Sequence, residues 1–171
     1  MLVRLACHED LPVLAQIHIS AWQTAYKGMI SPEVLDAIDI KHALTRLKPA
    51  MERPNTQVFG LEDHGEVRGF CRIGPSREQD VPPDTGEVFA INVAPSHWRK
   101  GYGKILLREV VSTMRMDGYQ AITLWVLNDN HRALRFYEQL GFSADGATRV
   151  EAADSDWPLH EQRLQRLLHG Q

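Results

Sequence analysis

A basic, glycine-containing turn carries the most specific chemical signal in this sequence. Its members are Arg99, Lys100, Gly101, Tyr102, Gly103 and Lys104. Glycine lets backbone N–H groups converge on one point, and the first turn of a following helix leaves its own N–H groups unpaired. The helix dipole and the basic side chains add a field that favours an anion. The turn therefore predicts a pyrophosphate-type site, although the same residues could form a plain strand-to-helix turn.

A second polar segment begins at Asn130. Asparagine favours the position just before a helix, and Gly141 is a favourable helix stop. At helical spacing, one face of this segment carries Ala133, Phe136, Tyr137 and Leu140 on its adjoining parts. The segment therefore predicts a short helix, and Asn130 could cap this helix, contact a ligand, or do both.

The elements that must position these residues alternate between strands and helices. Periodicity and turn residues predict strands at 2–6, 57–61, 67–73, 87–93 and 121–127. They also predict a helix at 9–26, a pair of helices within 31–51, a helix after residue 103 and a helix at 130–140. The tail at 158–168 fits a strand or a helix equally well, and residues 74–86 form the longest loop. This order predicts a mixed α/β domain that spans the whole chain, 1–171.

The composition limits the classes of protein to which the chain could belong. Its 171 residues carry a formal net charge of −3, which argues against a nucleic-acid partner. Cys7 and Cys71 have neither metal-ligand spacing nor the number needed for a disulfide framework. No apolar stretch approaches the length of a membrane span, and the N-terminus lacks the apolar region of a signal peptide. We therefore expect a cytoplasmic protein with no metal and no membrane partner.

Taken together, the glycine turn and the 130–142 segment resemble the Gcn5-related N-acetyltransferase (GNAT) superfamily. In that family the later helix carries the pattern Asn-x-x-Ala-x-x-Phe-Tyr-x-x-x-Gly-Phe, matched here by Asn130, Ala133, Phe136, Tyr137, Gly141 and Phe142. The apolar stretch at 87–95 is similar to the family's central strand. The resemblance implies a mixed, mostly antiparallel sheet of about six or seven strands, flanked by about four or five helices.

The chain departs from the family pattern at Trp98. The family's glycine turn commonly begins with glutamine or arginine three residues before the first glycine, where this sequence has tryptophan. An indole cannot bind a phosphate as a guanidinium does. We therefore expect backbone N–H groups and neighbouring basic residues to supply that contact.

The resemblance also implies acetyl-CoA as the acyl donor. Its pyrophosphate would lie on the glycine turn, and its pantetheine arm would lie along the end of the central strand. The residues implied to contact the donor beyond the turn are Asn92, Val93, Ala94, Asn130, Ala133 and Phe136. Backbone N–H groups near the strand end could polarise the thioester carbonyl.

Acid–base roles fall on two residues. By resemblance, Tyr137 is the general acid that protonates the leaving thiolate. Glu87 is the candidate general base, directly or through a water, because a carboxylate at the start of a mostly apolar strand is partly desolvated. The plainer alternatives are a core tyrosine with a satisfied hydroxyl and an exposed strand-end glutamate. His97 and His131 fit surface histidines better than bases.

Candidate acceptor-binding residues lie outside these motifs. Trp22 and Tyr26 are four residues apart and hence on one helix face, and Trp125 lies in the strand at 121–127. These aromatics could line an acceptor pocket or belong to the core. Arg72 and Arg77, near the long loop, could bind an acidic group of the acceptor or be solvated.

The sequence thus predicts an acetyl-CoA-dependent N-acetyltransferase. We expect direct transfer of the acetyl group to a primary amine of a small molecule within a ternary complex. A covalent acyl-cysteine route is disfavoured, because Cys7 and Cys71 lie outside the motifs. Two alternatives stay open: transfer to a protein N-terminus or lysine, and an acyl-CoA sensor without turnover. The resemblance also allows a homodimer.

Overall fold

The computed structural model describes residues 1–152 and 158–168, which build one seven-stranded sheet. The strands are β1 (Leu2–Leu5), β2 (Gln57–Asp63), β3 (Glu66–Pro75), β4 (Thr85–Val93), β5 (Ala121–Leu127), β6 (Ser143–Ala152) and β7 (Pro158–Leu167). Their spatial order is β1-β2-β3-β4-β5-β7-β6. Every neighbouring pair is antiparallel except β4 and β5, which are parallel. The predicted mixed, mostly antiparallel sheet is confirmed.

Five α-helices flank this sheet within the described residues. They are α1 (Leu11–Ala25), α2 (Pro32–Asp36), α3 (Ile40–Glu52), α4 (Tyr102–Met116) and α5 (His131–Glu138). Side-chain caps fix where the short first-half helices begin. The Ser31 hydroxyl accepts a hydrogen bond from the Val34 N–H at 3.3 Å, and the Asp39 carboxylate accepts one from the His42 N–H at 2.7 Å. Such caps stabilise a helix by about 1 kcal/mol each.

The two faces of the sheet carry separate apolar layers. On one face α4 buries Leu106, Leu107 and Val110 completely. On the other face α1 and α3 pack on β2 and β3, with Leu14 and Phe70 at the centre of that layer. Each fully buried side chain of this size stabilises the fold by roughly 2 kcal/mol. The sheet is therefore held from both sides.

The structure also corrects several predicted boundaries. The first helix begins at Leu11 after a short 3₁₀ turn, and the central strand begins at Thr85 rather than at Glu87. The tail forms β7 between β5 and β6, where both of its edges gain backbone partners. Residues 153–157 and 169–171 lie outside the described part of the chain.

The central pair of strands separates partway along its length. Register pairing between β4 and β5 runs only from Thr85 opposite Ala121 to Glu87 opposite Thr123. On its other edge β4 has an irregularity, because Ile73 pairs with Val88 while Arg72 pairs with Ala90, so Phe89 is left between the two pairs. A bulge bends a strand and increases its local twist. The two strands therefore part beyond Glu87 and open a gap in the sheet.

Candidate active site

A cavity of about 450 Å³ lies where β4 and β5 have separated. The end of β4, the glycine turn, α5 and the last turns of α1 form its walls. Most of the predicted donor-site residues line it: Asn92, Val93, Arg99, Gly101, Tyr102, Gly103, Lys104, Asn130, Ala133 and Phe136. Tyr137 and Tyr26 line it too. The structure therefore brings two separate sequence segments to one site, while Ala94 and Lys100 are not part of its lining.

The two glycines of the turn have different structural roles. Gly101 has a φ of +87°, a left-handed conformation that side chains disfavour, although a Cβ there would meet no atom within 4 Å. Gly103 instead allows close packing, since a Cβ would lie 3.3 Å from the Phe136 ring. Gly101 precedes α4 without a capping side chain. The first N–H groups of α4 are therefore left for a ligand.

Trp98 takes part in the turn through its indole. The indole N–H donates a hydrogen bond to the Val93 carbonyl at 2.7 Å, which ties the turn to the end of β4. The Arg132 guanidinium lies over the same ring, 3.7 Å from its centroid. Arg132 also lines the cavity, and burial together with the nearby charge of Arg99 lowers its pKa. A bound anion would relieve this repulsion.

The sequence interpretation missed Arg132. The sequence does contain an indication of it, because Arg132 lies two positions after the capping Asn130, in a helix that was predicted. The stacking of Arg132 on Trp98 identifies it, because this contact joins two segments more than thirty residues apart in the sequence. Ala21, Ala25 and Ile91 were likewise not predicted, and they line the apolar part of the cavity.

Tyr102 and Asn130 are both engaged by the protein. The Tyr102 hydroxyl donates a hydrogen bond to the Asp63 carboxylate at 2.6 Å. The Asn130 side-chain oxygen accepts one from the Ala133 N–H at 3.1 Å, so this residue caps α5. Tyr102 can therefore offer a ligand its ring and backbone, and Asn130 its remaining side-chain amide.

Tyr137 is buried beside the cavity. It is only 9% exposed, its ring packs edge-on against Phe136 and Phe142, and no hydrogen bond of its hydroxyl is found within the described residues. Burial raises its pKa, with a smaller contribution from Tyr26. The phenol therefore keeps its proton at neutral pH and can donate it towards the cavity.

Glu87 does not have the surroundings that its predicted role assumed. It lies inside β4, is 1% exposed and does not belong to the cavity lining. Both of its oxygens are occupied, since Arg77 donates to one at 2.5 Å and, through its side chain and its backbone, to the other at 3.2 and 3.0 Å. A glutamate held in this way anchors Arg77, which comes from the loop before β4. The alternative of an exposed strand-end glutamate is wrong, and the general-base role stays a prediction that the ion pair with Arg77 does not favour.

The candidate acceptor residues divide between two places. Tyr26 lines the cavity, and its ring contacts that of Trp22 edge-on at 4.8 Å. Trp22, Arg72 and Trp125 are outside the cavity lining. Trp125 donates its indole N–H to Glu78 at 2.9 Å, and Arg149 lies 4.3 Å from its ring centroid. Trp125 thus contacts the loop between β3 and β4 through Glu78 rather than lining the cavity.

Comparison with known proteins shows the family to which the chain belongs. The family model of the acetyltransferase (GNAT) family matches residues 17–142, so the chain belongs to that family. It is 30% identical over 137 residues to the uncharacterized N-acetyltransferase YuaI of Bacillus subtilis, covering 80% of this chain and 76% of YuaI.

Solved structures show the same fold. The ribosomal-protein-alanine N-acetyltransferase from Brucella melitensis superposes with a TM-score of 0.77 at 24% identity, covering 98% of this chain and 100% of that one. YncA from Salmonella typhimurium, a structure with its cofactor acetyl-CoA, superposes with a TM-score of 0.74 at 22% identity, covering 100% and 95%. None of the helices in the described residues has the length and apolar character needed to cross a membrane.

Proposed function

We propose that this chain transfers an acetyl group from acetyl-CoA to a primary amine of a small molecule, directly and within a ternary complex. One observation carries this proposal: the gap between β4 and β5 holds a single cavity that contains both the uncapped start of α4 and the buried Tyr137. That combination can hold the donor at one end and supply a proton at the other.

The residues present fit the phosphate end of coenzyme A. The N–H groups at the start of α4 and the left-handed Gly101 offer a backbone cradle. Arg99, Lys104 and Arg132 add positive charge along the same wall. Arg132 supplies the guanidinium that the family pattern would place at Trp98.

The residues further inside the cavity fit the pantetheine arm. Ile91, Ala133 and Phe136 provide apolar contacts, and the β4 backbone beyond Glu87 lacks β5 partners and can pair with the amides of the arm. A free N–H of that edge would also polarise the thioester carbonyl.

Tyr137 would complete the chemistry at the sulfur. The amine nitrogen forms the new C–N bond as the C–S bond breaks, and the Tyr137 hydroxyl gives its proton to the leaving thiolate. The proton lost by the nitrogen then returns to the phenolate, directly or through water, so the enzyme is restored. Glu87 is left out of this sequence because Arg77 holds both of its oxygens.

The runner-up is a peptide or protein N-terminal acetyltransferase. It is favoured by the superposition on the Brucella enzyme, whose name records a ribosomal-protein alanine as its target. CoA release from acetyl-CoA, measured with a panel of small primary amines and of peptides, separates the two. Turnover confined to peptides would replace the proposal by the runner-up, and saturable acetyl-CoA binding with no turnover by any amine would replace it by a sensor.

A further inference from the structure

Four arginines gather on the face of the sheet that carries α1 and α3. Arg72 follows Phe70 by two residues on β3, so both point to that face. The Arg72 and Arg77 guanidinium carbons lie 5.3 and 4.7 Å from the centroid of the Phe89 ring. Arg46 of α3 and Arg53 at its end act electrostatically on Arg72. We call these residues the arginine cluster; it borders the bulge of β4.

Among the described residues, Arg72 has no carboxylate of its own as an ion-pair partner. Its Nε is buried and has no hydrogen-bond partner in the described part of the chain. Burial, and then the charges of Arg77 and Arg53, lower its pKa. Glu87 attracts it, but that carboxylate already binds Arg77 through both oxygens. A desolvated charge without a partner is costly, so its position calls for an anion from outside the chain.

An aromatic face of α1 connects the cavity to this cluster. Tyr26 lines the cavity, Trp22 contacts Tyr26, and His18 contacts Trp22 with ring centroids 5.3 Å apart. His18 in turn lies under the influence of Arg46 and Arg72. At 1.5 Å per residue this ladder is about 12 Å long. A small molecule lying along it would reach from the reacting end of the cavity to the arginines.

The ladder itself adds no compensating charge. Burial, and next the positive charge of Arg46, lower the pKa of His18 to about 4, so its imidazole is neutral near pH 7. The aromatic face of α1 therefore leads from the cavity to positive charge at its far end.

We propose that the arginine cluster is an anion subsite of the acceptor pocket, and that the acceptor is a primary amine carrying a terminal oxyanion, either a carboxylate or a phosphate. This inference rests on the proposed function and narrows it. Arg72 would donate N–H groups of its two terminal nitrogens to two oxygens of that group. Arg46 and Arg53 would add charge without needing to touch it.

Matched amines test this subsite. We compare the kcat/KM of three series of amines of equal length: straight-chain ω-amino carboxylates, ω-aminoalkyl phosphates and plain alkylamines. The wild type, Arg72→Gln and the control variant Arg108→Gln are each assayed with all three series. Arg108 is exposed on α4, on the opposite face of the sheet. The wild type should favour one or both anionic series over the alkylamines by about 10- to 100-fold. Arg72→Gln should bring that ratio close to one, and Arg108→Gln should leave it unchanged.

A comparison of the two anionic series shows whether the subsite prefers a carboxylate or a phosphate. Equal kcat/KM for anionic and neutral amines would overturn the subsite, while acetylation of these amines would still support the proposed transferase function. If no amine is acetylated, the thermal shift of the CoA-saturated protein on adding each amine tests the subsite independently of turnover. Stabilisation by an anionic amine that Arg72→Gln abolishes would support the subsite, and no stabilisation would overturn it. Arg72→Gln should fold with an unchanged or higher thermal unfolding midpoint, since it removes a charge that lacks an ion-pair partner. Arg72→Lys keeps the charge but loses the planar guanidinium, so it should show a partial loss of the preference for anionic amines.

Discussion

Arg132 stacks on Trp98, with its guanidinium carbon 3.7 Å from the centroid of the indole ring. The same indole donates a hydrogen bond to the Val93 carbonyl at 2.7 Å. Trp98 is therefore fixed by β4 on one side and supports a cation from α5 on the other. The chain supplies a guanidinium beside the glycine turn from a neighbouring helix instead of from the turn itself.

Removing that guanidinium should weaken donor binding. We expect Arg132→Gln to raise the KM for acetyl-CoA by about tenfold with a small change in kcat, because a charge-assisted contact to a phosphate contributes about 1.5–3 kcal/mol. Steady-state kinetics and calorimetry with CoA measure this. Arg135→Gln, an exposed arginine one turn further along α5, is the matched control and should bind CoA normally. An unchanged KM in Arg132→Gln would remove Arg132 from the donor site.

The stacking itself can be tested separately. Trp98→Leu leaves the arginine in place but removes its platform and the hydrogen bond to Val93. Cation–π contacts contribute about 0.5–2 kcal/mol, so the KM for acetyl-CoA should rise by less than in Arg132→Gln. The double variant should be no worse than Arg132→Gln alone, since both changes act on one contact. Additive losses in free energy would show that Trp98 acts independently.

Tyr137→Phe should slow the chemical step. It keeps the ring contacts with Phe136 and Phe142 and removes only the proton donor. We expect turnover to fall by about tenfold or more, with acetyl-CoA affinity little changed. Because burial raises the pKa of Tyr137 above the ordinary tyrosine value of 10.0, the wild-type rate should not decline through loss of this proton below pH 10. Wild-type turnover in Tyr137→Phe would exclude the acid role.

The conformation of Gly101 offers a test with an internal control. Gly101→Val should abolish CoA binding, because a side chain disfavours a φ of +87° and distorts the N–H groups that precede α4. Gly118 has a φ of +93° just beyond the other end of the same helix, and there too a Cβ would meet nothing within 4 Å. Gly118→Val should strain the backbone similarly, by about 1 kcal/mol or more, and still bind CoA. Equal CoA binding by the two variants would contradict the pyrophosphate assignment.

The shapes of the glycine turn and of the Asn130 segment were predictable from the sequence, and the surroundings of Glu87 and Arg72 were not. The glycine turn and the Asn130 segment are contiguous stretches, so their spacing alone indicated a strand-to-helix anion site and a capped helix. Glu87 shows the limit of such reasoning. Its state depends on Arg77, which lies in a loop without periodicity and reaches the carboxylate only because of how that loop folds. The surroundings of Arg72 likewise depend on Arg46 and Arg53, and no local sequence pattern indicates that α3 brings these charges near β3.

The buried imidazole of His18 makes stability depend on pH. Burial first, and then the charges of Arg46, His42 and Arg72, lower its pKa from 6.5 to about 4. Between these values the unfolded chain binds a proton that the native protein excludes, so this contribution is complete above pH 6.5 and is lost as the pH falls towards 4. The free energy of unfolding should fall by about 1–3 kcal/mol over that range through His18 alone.

His18→Phe keeps a ring against Trp22 and removes the titrating group. Urea titrations at pH 7 and pH 4.5 should show a smaller loss of stability for this variant than for the wild type. His8→Gln changes an exposed histidine and should retain the full loss. The same pH dependence in His18→Phe as in the wild type would assign the acid sensitivity to other groups.

The gap between β4 and β5 divides the protein into two halves that can change separately. The wall that fits the donor is built mostly from residues after Ile91, whereas the aromatic ladder and the arginine cluster come from residues 18–77. Under the proposed subsite, substitutions in the earlier stretch that spare Ala21, Ala25 and Tyr26 would alter which amine is accepted without changing the donor cavity. A library confined to α3, β3 and the part of α1 before Ala21 would vary the proposed acceptor side and leave the lining of the donor cavity unchanged.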